Sequence, residues 1–186
     1  NFVGGIDYSS QMRILLNYVK ETWKDTRRKP RVAFIFADNS YGRAPIEVGR
    51  LYAAQIGVDL VDEEIIPTVV TDVTSQLLTM KKKDPDFAYI NTNTQWVPVV
   101  LKDSYKLGLK TKYVVNNYGI DERTPGLAGP AAEGVMGIQD VAYWGENVPG
   151  MKTLMEVHKK NHPNETPNSP YMRGWLWVIV AAEAIK

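Results

Sequence analysis

The 186-residue sequence contains no cysteine. That absence removes disulfide frameworks, thiolate metal sites and cysteine nucleophiles together, while leaving the redox compartment open. Histidine is nearly as scarce, at two residues, so a catalytic triad or a zinc site has little to draw on. Neither charge sign predominates: 22 basic against 21 acidic side chains leave a formal +1. The short basic runs Arg27 to Lys29 and Lys81 to Lys83 read as solvated helix ends, and an electrostatic nucleic-acid binder is disfavoured. Long apolar runs are also missing. The longest, Trp175 to Ala182, is bounded by Arg173 and Glu183 and falls short of the roughly 20 residues a membrane span needs. Finally, the chain has no G-x-G-x-x-G, no G-x-x-x-x-G-K-[ST] and no G-x-S-x-G, which removes the glycine-rich turns that let backbone amides approach a pyrophosphate and the elbow that exposes a hydrolase serine.

With 44% hydrophobic and 23% charged residues, the chain has enough apolar side chains for a compact domain burying about 70% of its unfolded surface. Apolar runs of strand length alternate with segments of helical period, the pattern of a parallel sheet covered by helices on both faces. An amphipathic stretch from Ser9 to Trp23 is followed, after Pro30, by Val32 to Ala37, which reads as a strand buried on both sides. The pattern continues through a helix over Ile46 to Ile56 ended by Gly57 and a strand over Val58 to Ile66. The acids of that strand, Asp62, Glu63 and Glu64, suit a position near an edge, facing solvent. A helix over Thr71 to Met80 is expected next, capped by Thr71 or Asp72, then a strand over Phe87 to Ile90. A helix over Trp96 to Leu107 ends at Gly108, and strands over Tyr113 to Val115 and Gly134 to Ile138 complete the set. Two further helices, Gly150 to Asn161 and Ser169 to Lys186, flank a loop at Asn164 to Pro170. The expected fold class is therefore α/β, a three-layer αβα Rossmann-like lobe with a mostly parallel sheet. Asn1 in place of Met, and a helical pattern still running at Lys186, lead to the expectation that the sequence is a piece of a longer chain.

In an open parallel sheet every strand-to-helix turn emerges at the carboxyl ends of the strands, so distant residues converge there. Three such turns read Asp38-Asn39-Ser40-Tyr41-Gly42, Asn91-Thr92-Asn93-Thr94-Gln95-Trp96 and Asn116-Asn117-Tyr118-Gly119. Each offers neutral hydrogen-bonding groups beside an aromatic ring, an inventory suited to holding a solute by hydrogen bonds and stacking. Asn, Ser and Thr also cap helices and accept turn geometry, so single residues carry less weight than the set. Trp96 and Tyr118 serve equally well to plug the sheet end. His158 and His162 stand four apart, but Asn161 and Pro163 end the helix there, and both imidazoles read as solvated. Arg43 is a candidate for facing an anion, although a helix-start Arg is usually solvated. No catalytic residue, metal ligand or cofactor is expected.

Five segments, in order, carry a family resemblance. They are Arg31 to Ala37 followed by Asn39-Ser40-Tyr41-Gly42; Thr71-Asp72-Val73-Thr74-Ser75-Gln76-Leu77; Lys82-Lys83-Asp84-Pro85-Asp86-Phe87; Leu107-Gly108-Leu109-Lys110-Thr111; and Ala128-Gly129-Pro130-Ala131-Ala132-Glu133-Gly134-Val135. Together they resemble the type I periplasmic substrate-binding proteins of ABC transporters, in the leucine/isoleucine/valine-binding branch. The resemblance implies that 1–142 is the second of two ligand-binding lobes. It assigns 143–186 to a hinge return and helices of a first lobe whose remainder is absent. It further implies transport of a small solute, a membrane permease of an ABC importer as partner, no nucleic acid, and a periplasmic or extracellular location, with or without a lipid anchor. The implied ligand-binding residues are Tyr41, Asn93, Thr94, Asn116, Asn117 and Tyr118. Amino-acid binders of the branch carry an acid where Asn117 stands and a tyrosine where Asn93 or Thr94 stands. The implied ligand is accordingly a small polar or aromatic molecule, amino-acid-like or a carboxylate or amide, with Asp121 as an alternative source of negative charge. A ligand-sensing domain of a receptor or transcription regulator has the same architecture, and a doubly wound enzyme is a more distant alternative.

Overall fold

The computed structural model describes residues 5–186; the first four residues of the stretch assigned as 1–142 lie outside it. Residues Asp7–Ile138 form one compact unit, and Gln139–Lys186 form a second together with residues 5 and 6.

The first unit contains α1 (Tyr8–Thr22), β1 (Arg31–Ala37), α2 (Ser40–Arg43), α3 (Ile46–Ile56), β2 (Asp59–Ile66), α4 (Thr74–Lys83), β3 (Phe87–Asn91), α5 (Val97–Lys106), β4 (Lys112–Val115), α6 (Thr124–Ala128), a 3-10 turn (Gly129–Ala132) and β5 (Met136–Gly137). The five strands pair in the order β2-β1-β3-β4-β5, and every pairing is parallel. This is the expected α/β lobe.

Alternation along β1 explains the two cores. Val32, Phe34 and Phe36 face α1 and α3, where they meet Met12, Leu16, Val19, Ile46 and Ala53. Ala33 and Ile35 face the opposite layer, with Leu77 and Met80 of α4 and Val97, Val100 and Leu101 of α5. Both faces are apolar because a parallel sheet carries its crossover helices on both sides. The α1 helix starts where the Asp7 carboxylate accepts the Ser10 N–H at 2.9 Å, and its buried stripe Met12, Leu15, Leu16 and Val19 has the three-and-four spacing of one helical face.

Three expectations for this unit need correction. The fourth helix begins at Thr74 and ends at Lys83, not over Thr71 to Met80. Val70 and Val73 are buried in the core, and the Val73 N–H is held by the Asp103 carboxylate of α5 at 3.1 Å. Asp72 instead accepts from the Thr74 N–H. A partner from a different helix thus overrides the local capping pattern. The fifth strand is reduced to Met136–Gly137; at Gly137 an added Cβ would lie 2.4 Å from the Ile120 side chain.

The acids of β2 are the third case. The strand does lie at the sheet edge, but its acids are half-buried. Glu63 forms a two-bond pair with Arg50 of α3, both contacts 2.6 Å. Asp62 and Glu64 are two apart and share the other face. Partial burial, then the Asp62 charge beside it, raises the Glu64 carboxyl from its ordinary 4.5 to about 7.

The second unit consists of α7 (Met151–Asn161), α8 (Ser169–Ile185) and the segment leading into them. Its buried apolar core is Met151, Leu154 and Met172, with Trp144, Tyr171 and Trp175 packed against it. Arg173 and Asp140 form a buried ion pair at 2.8 Å, and the Asn168 side chain caps α8 by accepting the Tyr171 N–H. The expectation of solvated imidazoles fails at His158. Its ring is buried, 5.0 Å from Trp144 and 4.9 Å from Tyr171 between centroids. His162 remains half-exposed, beside Glu165 at 3.1 Å. No helix among the described residues is long and apolar enough to cross a membrane.

Candidate functional site

Each of the three polar turns is shaped by the strand that precedes it, and hydrogen bonds then tie the turns to one another. At the end of β1, the Asn39 side chain caps α2 by accepting the Gly42 N–H at 2.8 Å. Gly42 is required by close approach, since a Cβ there would fall 2.0 Å from the Ala37 carbonyl oxygen. At the end of β3, the fully buried Asn91 donates through Nδ2 to the carbonyls of Tyr41 and Gly42, at 3.0 and 2.9 Å, joining the first turn to the second. Burial pushes the Tyr89 phenol upward, which keeps its hydroxyl a donor to Asn91 Oδ1 at 3.3 Å.

The third turn is joined to both. The Tyr118 carbonyl accepts the Thr94 N–H at 2.8 Å. Asn116 donates through Nδ2 to the Tyr41 hydroxyl, which itself donates to the Thr92 carbonyl at 3.2 Å. The Asn117 N–H donates to Gln11 Oε1 of α1 at 3.0 Å. A Cβ at Gly119 would sit 2.8 Å from the Thr92 carbonyl oxygen, so a second glycine permits backbone to pass close to backbone. Residues up to 106 positions apart in sequence therefore meet at the carboxyl edge of one sheet, where open α/β folds gather their ligand-binding loops.

The six residues named from sequence fall into two groups. Asn116 and Asn117 are buried; the Asn116 Nδ2 ties the third turn to the first, and the Asn117 backbone N–H ties it to α1. Tyr41, Thr94 and Tyr118 are half-exposed, and Asn93 is exposed. Tyr41 and Tyr118 form an aromatic cluster with Tyr8 of α1, which sequence reasoning missed; the centroid separations are 5.1 Å for Tyr8 to Tyr41, 6.3 Å for Tyr8 to Tyr118 and 6.4 Å for Tyr41 to Tyr118. All three pairs are edge-to-face, the favoured geometry for quadrupolar rings. Trp96 packs against the core and so plugs the sheet end.

Beside this cluster, Asn93, Thr94, Gln95, Arg123 and Leu127 line a recess of about 230 Å³. Arg123 is a second functional candidate missed from sequence. Its Nε lies 3.0 Å and its Nη2 2.5 Å from Asp121 Oδ2, and Nη2 also reaches Thr94 Oγ1 at 3.2 Å. The Asp121 carboxylate raises the guanidinium pKa further. Arg43, the cation singled out from sequence, is instead paired with Asp38 at 2.6 Å. Among the described residues no three histidines, aspartates or glutamates come together to hold a metal ion. What the edge offers is donors, acceptors and ring faces.

A profile of the periplasmic binding protein family matches residues 1–186. The chain belongs to the periplasmic binding protein family. Among solved structures, a branched chain amino acid ABC transporter protein from Thermus thermophilus with bound valine is similar at 28% identity and a TM-score of 0.87, over 99% of this chain and 48% of that one. An ABC transporter substrate-binding protein from Aeropyrum pernix is similar at 24% identity and a TM-score of 0.83, over 95% and 47%. A fatty acid ABC transporter substrate-binding protein from Thermomonospora curvata shares the fold at 20% identity and a TM-score of 0.75, over 87% and 42%. The chain thus spans about half the length of these family members. Comparison with curated proteins gives no match. The family is one of binding proteins.

Proposed function

We propose that the chain is part of the solute-binding component of an ABC importer, working in the periplasm or at the cell exterior, and that Asp7–Ile138 is one of two lobes that close on a small polar or aromatic molecule. The observation that carries the reading is the union of three distant turns at one edge of the sheet, joined through Asn91, Tyr41 and the Thr94 to Tyr118 bond. Family membership and similarity to a valine-bound transporter protein support it. In this reading Tyr41, Tyr118, Asn93 and Thr94 meet the solute directly, with Tyr8 beside them. Asn116 and Asn117 act from behind by fixing the turns.

Closure of a second lobe excludes water, and hydrogen bonds in the drier cleft strengthen. The closed form is what a membrane permease recognises, and no covalent bond of the solute changes. The exposed apolar face of α8, with Trp177, Val178 and Ile179 at 50%, 67% and 51% exposure, supports assigning the helices of 143–186 to the first lobe, whose remainder covers them.

Calorimetric titration of the full-length protein with amino acids and aromatic acids tests the reading. Tyr41→Ala is expected to weaken the best binder by about tenfold or more, the effect of losing a ring and a hydroxyl from the contact surface. Unchanged affinity in that variant, or no binding of any such solute, overturns it.

A further inference from the structure

We infer that Arg123 selects the chemistry of the solute, and that the group it selects is an acidic oxygen, a carboxylate or its equivalent. The inference rests on the solute-binding reading and deepens it. It starts from the recess of about 230 Å³ beside Asn93 and Thr94, in which Arg123 is the only cation among the lining residues.

The guanidinium is oriented with part of its fork left over. Nε and Nη2 are taken by Asp121 and Thr94, while Nη1 engages no acceptor among the described residues, and the side chain is 52% exposed against 1% for Asp121. Asp121 cannot greet a ligand ammonium. Its carboxylate is buried behind the guanidinium, and Oδ1 also accepts the Arg123 backbone N–H at 2.9 Å. Two of the acceptors facing the recess are already engaged: Asn93 Oδ1 holds the Gln95 N–H at 3.0 Å, and Thr94 Oγ1 holds Arg123; the Gln95 amide oxygen is the other acceptor there. Donors remain, namely Arg123 Nη1 and the amide groups of Asn93 and Gln95. A recess whose one charged group is a partly open guanidinium, with two amide donors beside it, complements a ligand acceptor, and a planar guanidinium suits a carboxylate best.

Net charge near the recess opposes this reading, because Glu122 also bears on Arg123. Glu122 is exposed, however, and water and salt screen it. The direct hydrogen bonds decide. In the same arrangement Asp121 aims the guanidinium and holds its pull in check.

The test is calorimetric titration of the full-length protein with 4-hydroxybenzoate, 4-methylpentanoate, leucine, leucinamide and benzamide, together with mass spectrometry of any solute released from the purified protein by heat. The carboxylate-bearing probes are expected to bind and the two amides to bind at least tenfold more weakly. Arg123→Gln is expected to weaken the best carboxylate about 30-fold, as for loss of a charge-assisted hydrogen bond. Asp121→Asn, which keeps the acceptor for the backbone N–H, is expected to tighten it about threefold by unmasking the guanidinium. A merely structural role for the pair predicts weakening in both variants. Where Arg123→Gln leaves Asp121 uncompensated and lowers stability, the double variant carrying both changes restores neutrality and must still show the loss. The inference is overturned if the best binder or the released solute lacks an acidic oxygen, if Arg123→Gln binds as the parent does, or if Asp121→Asn weakens binding as much as Arg123→Gln. Those outcomes leave solute binding standing; binding of no probe and release of no solute overturns both.

Discussion

The two units of the chain satisfy their apolar surface in different ways. Asp7–Ile138 closes one hydrophobic cluster on each face of its sheet, and its largest buried side chains, Tyr89, Phe34 and Phe36 among them, lie in those clusters. Gln139–Lys186 has three buried apolar residues and leaves an open groove of about 520 Å³ lined by Val141, Val148, Met151, Leu154, Trp175 and Ile179. A patch of that kind marks an interaction surface or an aggregation hazard. The difference teaches that apolar burial in this chain is concentrated in the sheet unit, while the helical unit leaves much of its apolar surface open.

The largest expected effect breaks the sheet unit where it is tightest. Gly42→Ala forces a methyl against the Ala37 carbonyl, at 2.0 Å before relaxation, and is expected to cost about 3 kcal/mol, lowering the thermal midpoint of the chain by roughly 10 °C. A circular-dichroism melt checks this; a shift under about 3 °C means the first turn is looser than the close approach implies.

A smaller effect is read by pH. The Glu64 carboxyl titrates near 7 in the folded unit against about 4.5 unfolded, so between those values the folded state binds more protons. Stability from this group is complete below about pH 4.5 and is lost as pH rises through 7. The carboxyl still meets water, so screening limits the gain to about 1 kcal/mol. Urea titrations at pH 5 and 8 should show that difference, and Glu64→Gln should abolish it. An unchanged difference in the variant assigns the dependence to another group.

The smallest effects belong to α8. In the 186-residue chain, Trp177→Ala and Ile179→Ala should each change stability by no more than about 0.5 kcal/mol, because both side chains are half-exposed. On the proposed reading, in which a first lobe of the full-length protein covers them, each should cost about 2 kcal/mol or more there. Equal values in the two proteins, measured by urea unfolding, remove the contrast between covered and uncovered helix.

Much of the fold was legible because single residues pointed the same way as the pattern. β1 reads as buried on both sides from an unbroken apolar run, and Gly57 ends α3 with a left-handed φ of 77°. What escaped depends on partners far off in sequence. The start of α4 is set by Asp103 of α5, and the burial of His158 is set by Trp144 and Tyr171. The pairing of Asp62 with Glu64 follows from the two-residue period of a strand, but reading the run of three acids as solvent-facing conceals it. At the candidate site, the turns and their residue types were readable, whereas the division into exposed and buried asparagines was not. Arg123 carried one faint signal, an acid two positions before it on the loop after the third turn; nothing local says that Thr94 lies within reach.

The Tyr41 hydroxyl stands where three chain segments cross, between the Thr92 carbonyl and the Asn116 amide. Such a crossing point makes the rim of the sheet behave as a plate and not as three independent fingers. The turns are tied to one another by the protein's own bonds, so on the proposed reading capture on this side need not sacrifice their freedom, and a weakly interacting molecule is still held. By the same reasoning, removing that single hydroxyl in Tyr41→Phe should blunt discrimination between similar molecules more than it reduces grip on any one of them.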